Sequence, residues 1–567
     1  MSRLVPAASL DGWGWLEAGI VSGDLRVPGD HARSWLFGTI KADRDGPATH
    51  RLLALANDGR VLVRRAVFEL IAESCSLHAG WPLVADAAEP ALRDDDPLLR
   101  RVAAALLVRT GGADRAVAAL SASSDPVVRI ALLRAIAWRD VPPCRALLDR
   151  LRSAQEPAVR LLATVAEYRS DEPEAWPALD AAVLADLEAA DEGLGEVWAR
   201  TLADLDREDD CCASAVRLTR SRPELDGVRL AAVAMRTWRA APRRLAPALT
   251  GLLEKGPSAV RSAALHALAS SLTASRLGAD ALAAVLDDPE LGATAAIALG
   301  CAGDHRAVPH LVRLMLAGSD EPRLAEAFRA VARAGADPEA PVAAARQLLA
   351  ELPMRVLAAF GAAAAVPDLI ARLEGAENDT PDLTFHVLAA IGPGAAAAVP
   401  HLRQYNTVGA LPALLSITSD RAVADQYLSG RPEELRRGRL ASQLLTWLAE
   451  HGGLTGRQHR QLRSLFGVPG TAQVEVAGAL WRHEGPAVAE ELLAVLPRHC
   501  FDERLGLEAL RVLAAMGAHA RPVLDWLDRL IAAPRRAGFD LGDEDAEMRA
   551  DEVLLAAAIT ARERITG

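Results

Sequence analysis

Large rings are scarce in this sequence. Aromatic residues fill 4% of its 567 positions, although 51% are hydrophobic. A core of that composition rests on alanine, leucine and valine, which favour helices and let them approach closely. Lysine is nearly absent, with Lys41 and Lys255 the two examples, so basic charge is almost all arginine. An arginine and alanine excess of this kind suggests a GC-rich coding bias, and one arginine alone then carries little functional weight. Six cysteines are too few for a disulfide scaffold. Cys211 and Cys212 are adjacent, which suits neither a good disulfide nor two zinc ligands. Inert or buried thiols in a reducing cytoplasm are expected.

Other absences narrow the function. The first residues, MSRLVPAASLDGWGWLEAG, hold no apolar stretch of signal-peptide length. Apolar runs such as Ala358–Pro367 are too short and too interrupted to span a bilayer, so no membrane role is expected. Nothing matches the phosphate-cradling G-x-x-x-x-G-K-[ST] pattern or a serine nucleophile elbow. No catalytic, cofactor or metal site is therefore assigned. The formal net charge is −12, which works against a chain-wide nucleic-acid surface, since phosphate binding needs clustered cations.

What is abundant is repetition. The clearest copy of one phrase, DPELGATAAIALGCAGDHRAVPHLVRLM, runs from Asp288 to Met315. Pro97, Pro126 and Pro157 open copies 29 and 31 residues apart. From Gly227 the openings at Pro257, Pro289, Pro322, Pro353 and Pro381 follow at steps of 30, 32, 33, 31 and 28. A steady period of about 30 residues is the signature of a solenoid of helical hairpins. Proline in a first helical turn loses no hydrogen bond. The aspartate before it, as at Asp96, Asp125 and Asp288, is placed to cap free amides. Glycines at Gly300, Gly335, Gly392, Gly452 and Gly517 read as left-handed helix stops. Second helices open at Val308-Pro309, Val366-Pro367 and Val399-Pro400.

The phrases DPELGATAAIALGCAGDHRAVPHLVRLM and DPVVRIALLRAI resemble HEAT repeats, particularly the short bacterial form named after phycobilisome lyases. The resemblance covers roughly residues 45–560 and is strongest from Pro257 to Tyr405. It implies an all-α, right-handed superhelical solenoid of about fifteen hairpins, second helices lining the concave side. Most such arrays bind other macromolecules, so a protein or peptide partner is implied. Residues 1–45, with Trp13, Trp15, Trp35 and Phe37, read as an aromatic-rich cap. Residues 46–404 form the main array, 405–431 an irregular extra hairpin, and 432–567 further repeats with a closing helix. The Gly- and acid-rich stretch Pro534–Glu544 is expected to be a mobile loop.

Several residue groups are candidates. Positions on the second helices offer His310, Arg313, Asp368, Arg372, His401 and Gln404 as a polar lining for contact. Layers about 10 Å apart keep them from forming one catalytic or metal site. The arginines of D-P-x-x-R at Arg100, Arg129, Arg160, Arg229 and Arg261 are expected to pair with acids of neighbouring repeats or simply to cover the convex surface, rather than to form a ladder for phosphate. Two stretches are basic. Met235–Leu245 carries Arg236, Arg239, Arg243 and Arg244 around Trp238; Gly456–Arg463 carries Arg457, Arg460 and Arg463, with Arg436, Arg437 and Arg439 upstream. These stretches resemble the basic, aromatic-bearing faces of HEAT-like alkylpurine DNA glycosylases, which implies nucleic-acid binding as an alternative. His483-Glu484 is similar to a metal-holding pair of deoxyhypusine hydroxylase, but that family uses several pairs and this chain has one.

The sequence thus reads as a cytoplasmic, non-catalytic adaptor binding a protein or peptide on its second helices. Contact residues are Arg313, Asp368, Arg372, His401, Gln404, Arg457, Arg460 and Arg463. A second alternative is an accessory protein presenting substrate to a partner enzyme.

Overall fold

The computed structural model describes all residues but 1–12, 14–18, 21–28, 75–79, 138–144, 169–180, 190–193, 222–224, 376–381, 406–408, 431–438, 503 and 540. Trp15, Arg436 and Arg437 lie outside the described residues. The chain divides into two compact units, Met1–Asp210 and Cys211–Gly567. Regular structure among the described residues is helical, with one isolated β-bridge between Trp238 and Arg535.

In the first unit the first helix of each layer stacks on the next. These are α1 (Val61–Ser74), α2 (Pro97–Thr110), α3 (Pro126–Ala137) and α4 (Pro157–Tyr168). Second helices Pro82–Ala91, Gly112–Ala122 and Arg145–Arg152 pack beside them. The start of α2 shows why the sequence folds this way. The Asp96 side chain accepts from Leu98 and Leu99 amides, and Pro97 occupies the first turn, where no amide is missed. Leu99, Ala103, Leu106 and Leu107 then fall on one buried stripe. The repeated arginine ties each layer to the next: Arg64 pairs with Asp94 at 2.8 Å, Arg100 with Asp125 at 2.9 Å and Arg160 with Asp186 at 2.5 Å.

The second unit is built by itself of the same kind of stacked helix pairs. Its first helices are α5 (Leu225–Thr237), α6 (Ser258–Ser270), α7 (Gly292–Cys301), α8 (Leu324–Arg333), α9 (Glu351–Ala359), α10 (Asp382–Ile391), α11 (Ala410–Thr418), α12 (Arg439–Glu450), α13 (Thr471–Glu484) and α14 (Gly506–Met516). A 23-residue helix, α15 (Glu544–Thr566), ends the chain. One continuous apolar core runs through the later layers, from Leu415 to Ile565. This is an all-α solenoid of stacked helix pairs. Arg261 reaches Asp288 of the next layer at 3.1 Å, whereas Arg229 turns to Asp226 on its own helix. Arg129 bonds the Ser123 carbonyl instead.

Two sequence expectations need correction here. Gly335, Gly392, Gly452 and Gly517 do have positive φ, but the left-handed residue ending α7 is Gly303, at φ 84°. Gly300 lies inside α7, where a Cβ would come within 2.8 Å of Ala327 and Leu311. It is glycine because two helices touch there. The run Asp382–Leu402 is also long and apolar enough to cross a membrane, by length and composition, with a mean hydropathy of 1.5 over its best window. It is not one straight helix, because Gly392 at φ 65° and a non-helical Ala395 break it into α10, a 3-10 segment and the second helix Val399–Leu402.

Candidate functional site

The candidate contact residues sit on second helices of the second unit. Arg313 lies on Val308–Leu316, Asp368 and Arg372 on Val366–Gly375, His401 on Val399–Leu402, and Gln404 in the turn that follows. Between the first two comes Glu339–Leu348. The structure joins these helices by pairing Asp368, Arg372 and His401 with groups the sequence did not single out. Arg346 pairs with Asp368 at 2.6 Å. Arg372 donates to the Leu349 carbonyl at 3.2 Å, and His401 stands 3.5 Å from Glu374. Arg313 contacts His310 through Nη2 and keeps a loose 3.4 Å pair with Asp287, both side chains being largely exposed. Leu316 and Leu348, at the ends of consecutive second helices, are 47% and 43% exposed. The result is an exposed strip of polar and apolar groups held in register by contacts between layers.

Arg457, Arg460 and Arg463 share the helix Gly456–Phe466, which starts with a Thr455–Gln458 capping box. They are not equivalent. Arg457 and Arg460 are exposed and have no carboxylate partner among the described residues. Arg463 is neutralised by Glu484 and Glu491 of the following layer. His459 Nε2 donates to the Glu484 carboxylate at 2.5 Å, and its ring lies 4.6 Å from His483. Burial pushes the Glu484 carboxyl up, but hydrogen bonds from Arg463 and His459 outweigh it and hold it below its ordinary value. The His483-Glu484 pair is thus divided: Glu484 faces arginine and His459. Among the described residues no group of three or more His, Cys, Asp or Glu is placed to hold a metal ion.

The basic stretch around Trp238 is the largest departure from expectation. Trp238 is buried, and Arg239 and Arg236 are paired with carboxylates. Arg239 is 7% exposed and binds Asp551 of α15 at 2.6 Å, more than 300 residues away; Asp551 is 0% exposed. Arg536, 5% exposed, meets the same carboxylate at 3.2 Å and donates to the Met235 carbonyl at 2.7 Å. Arg236 pairs with Glu544 at 2.6 Å and Asp545 at 3.0 Å. Glu552 accepts from the Ser271 hydroxyl at 2.6 Å and the Leu272 amide at 2.7 Å, capping a helix beside α6. The backbones join as well: the Arg239 amide donates to the Pro534 carbonyl at 2.9 Å and the Arg536 amide to the Thr237 carbonyl at 3.0 Å. The end of this unit's stack is therefore fastened to its beginning. Pro534 and Arg536, in the stretch expected as a mobile loop, supply part of the fastening. Arg243 and Arg244 remain exposed on the next helix.

No family model matches the chain, and no curated protein sequence matches it. Solved structures are similar over most of the chain, at low scores. One is the karyopherin Kap121p bound to Ste12p, at 10% identity and a TM-score of 0.36, covering 98% of this chain and 75% of that one. Another is Kap95p with RanGDP, at 13% and 0.32, covering 97% and 84%. A third is the S. pombe condensin Cnd3-Cnd2 subcomplex, at 14% and 0.30, covering 91% and 83%. Similarity this distant says nothing of partners, and the solenoid rests on the helix contacts described above.

Proposed function

We propose that this chain is a non-catalytic cytoplasmic adaptor of the HEAT type that binds a protein or peptide along the second helices of its second unit, from Arg313 to Gln404. The observation that carries the reading is the strip itself. Contacts between layers, from Arg346 to Asp368, Arg372 to Leu349 and His401 to Glu374, hold the helices while Arg313, Gln404, Leu316 and Leu348 stay exposed. Exposed leucines beside fixed polar groups suit a surface that gains modest contacts over several layers. Arg457 and Arg460 extend the proposal as a second, basic patch. Pairing of Arg236, Arg239 and Arg463 with carboxylates removes three cations on which the nucleic-acid alternative depended.

The test is a comparative pull-down from host lysate with nuclease present, using wild type and the variant Arg313→Glu with Arg372→Glu. A stoichiometric protein partner is expected with wild type and a loss of about tenfold or more with the variant. Arg243→Glu serves as the control and retains binding. Recovery of nucleic acid alone, or equal capture by all three proteins, overturns the reading.

A further inference from the structure

The fastening leaves one group unexplained. Arg549, on the first turns of α15, is 8% exposed, yet its bonds are few. It reaches the Ser270 carbonyl at 3.5 Å and the exposed Asp543 carboxylate at 4.0 Å. Beside it stands Arg323, whose Nη1 donates to the Ala269 carbonyl at 3.1 Å while its buried Nε and Nη2 have no partner. Two guanidiniums bring ten N–H donors to the end of α6, where the Ala269 and Ser270 carbonyls accept. Burial, and then the like charge of Arg323, push the Arg549 pKa below its ordinary value. A buried cation in that position costs stability unless something complements it.

A cavity of about 260 Å³ opens beside Arg549. Its walls carry two carboxylates, Glu326 of α8 and Asp502 just before α14, and an apolar side made by Leu507, Phe539 and Val553 among others. Glu326 and Asp502 make no ion pair with Arg549; the Asp502 side chain instead bonds the Arg504 and Leu505 amides through one oxygen. The cavity therefore offers a cation, carboxylates and an apolar wall, all within the size of a small molecule.

We propose that this cavity binds a free α-amino acid with an apolar side chain. Its carboxylate pairs with Arg549, its ammonium group with Glu326, since Asp502 already accepts two backbone amides, and its side chain packs on Leu507, Phe539 and Val553. A simple anion would leave the two carboxylates opposed to it; a simple cation would leave Arg549 uncompensated. A zwitterion satisfies both, and the apolar wall selects its body. The walls come from α8 near the start of the unit and from α14, α15 and the 534–544 segment at its end, so an occupant stabilises the fastened state.

The experiment is titration of the full-length protein, by calorimetry and by thermal unfolding, with L-leucine, leucinamide, N-acetyl-leucine and inorganic phosphate. L-Leucine is expected to bind and to raise Tm. Leucinamide lacks the carboxylate and N-acetyl-leucine the ammonium group, and each is expected to bind about tenfold more weakly or worse, by the loss of one charge-assisted bond. Arg549→Met removes an under-paired buried charge, so it folds with an unchanged or higher Tm and loses the leucine response. Glu326→Gln folds normally and weakens leucine while leaving phosphate unaffected. No response to leucine, a leucine response that survives Arg549→Met, or a response to phosphate alone overturns the proposal. None of these outcomes bears on partner capture by the second-helix strip, which the pull-down decides separately.

Discussion

Asp551 joins two nearly buried arginines, Arg239 and Arg536, through one fully buried carboxylate. Removing one partner of such a cluster leaves uncompensated charge in a low-dielectric site. Asp551→Asn is expected to destabilise the second unit by about 3–5 kcal/mol, read by urea unfolding. Replacing Asp551, Arg239 and Arg536 together with apolar residues of similar volume is expected to restore much of the loss. Gly300 is the steric counterpart. Any Cβ there meets Ala327 and Leu311 at 2.8 Å, so Gly300→Val is expected to cost about 1–3 kcal/mol through overpacking, read as a lowered midpoint.

At the level of the element, helix starts and the bonds between layers share the same aspartates. Asp96 caps α2 and pairs with Arg65; Asp288 caps the turn before α7 and pairs with Arg261. Both carboxyls lie below their ordinary value of 3.8, Asp96 through Arg65 first and Asp288 through backbone amides first. Asp94 and Asp304 are held down by Arg64 and Arg306. A carboxyl with a depressed folded pKa contributes stability above its unfolded pKa and loses it as pH falls through the folded one. The array is therefore expected to keep full helicity near pH 7 and lose stability progressively below about pH 4. Circular dichroism across a pH series checks this; a midpoint unchanged down to pH 2 contradicts it. Cysteines move the other way. Burial pushes the Cys301 thiol up to about 11 and Cys500 up to about 12, so both are expected to resist alkylation until the protein unfolds.

Taken as a whole, the chain is two compact units, and the second is fastened end to start. An open solenoid frays from its terminal layers because each layer contacts only its neighbours. Fastening removes one such end by joining α15 to α5 and α6. Asp551→Asn is accordingly expected to raise amide exchange in α5, α6 and α15 together while leaving the α1–α4 layers unchanged. Exchange that rises only within α15 contradicts this coupling.

The sequence by itself determined everything that repeats. Period, capping aspartates, second-helix prolines and most left-handed glycines follow from local rules that apply in every layer, so the solenoid of helix pairs was legible. It also led to the bonds between layers at Arg100, Arg160 and Arg261, because a fixed period fixes which residues meet, but not to the local partners that Arg129 and Arg229 take instead. Tertiary structure alone decided what depends on distant parts of the chain. Arg239 and Asp551 are more than 300 residues apart, and no local pattern links them. An arginine beside a tryptophan reads the same whether it faces solvent or an acid brought round by ten layers of packing. For the same reason Met235–Leu245 read as a binding patch, nothing in the 534–544 loop marked Arg536 as an anchor, and the cavity at Arg549 had no signature at all. The small rotation each layer adds decides whether the ends of a stack meet, and that rotation is set by side-chain packing along the whole unit.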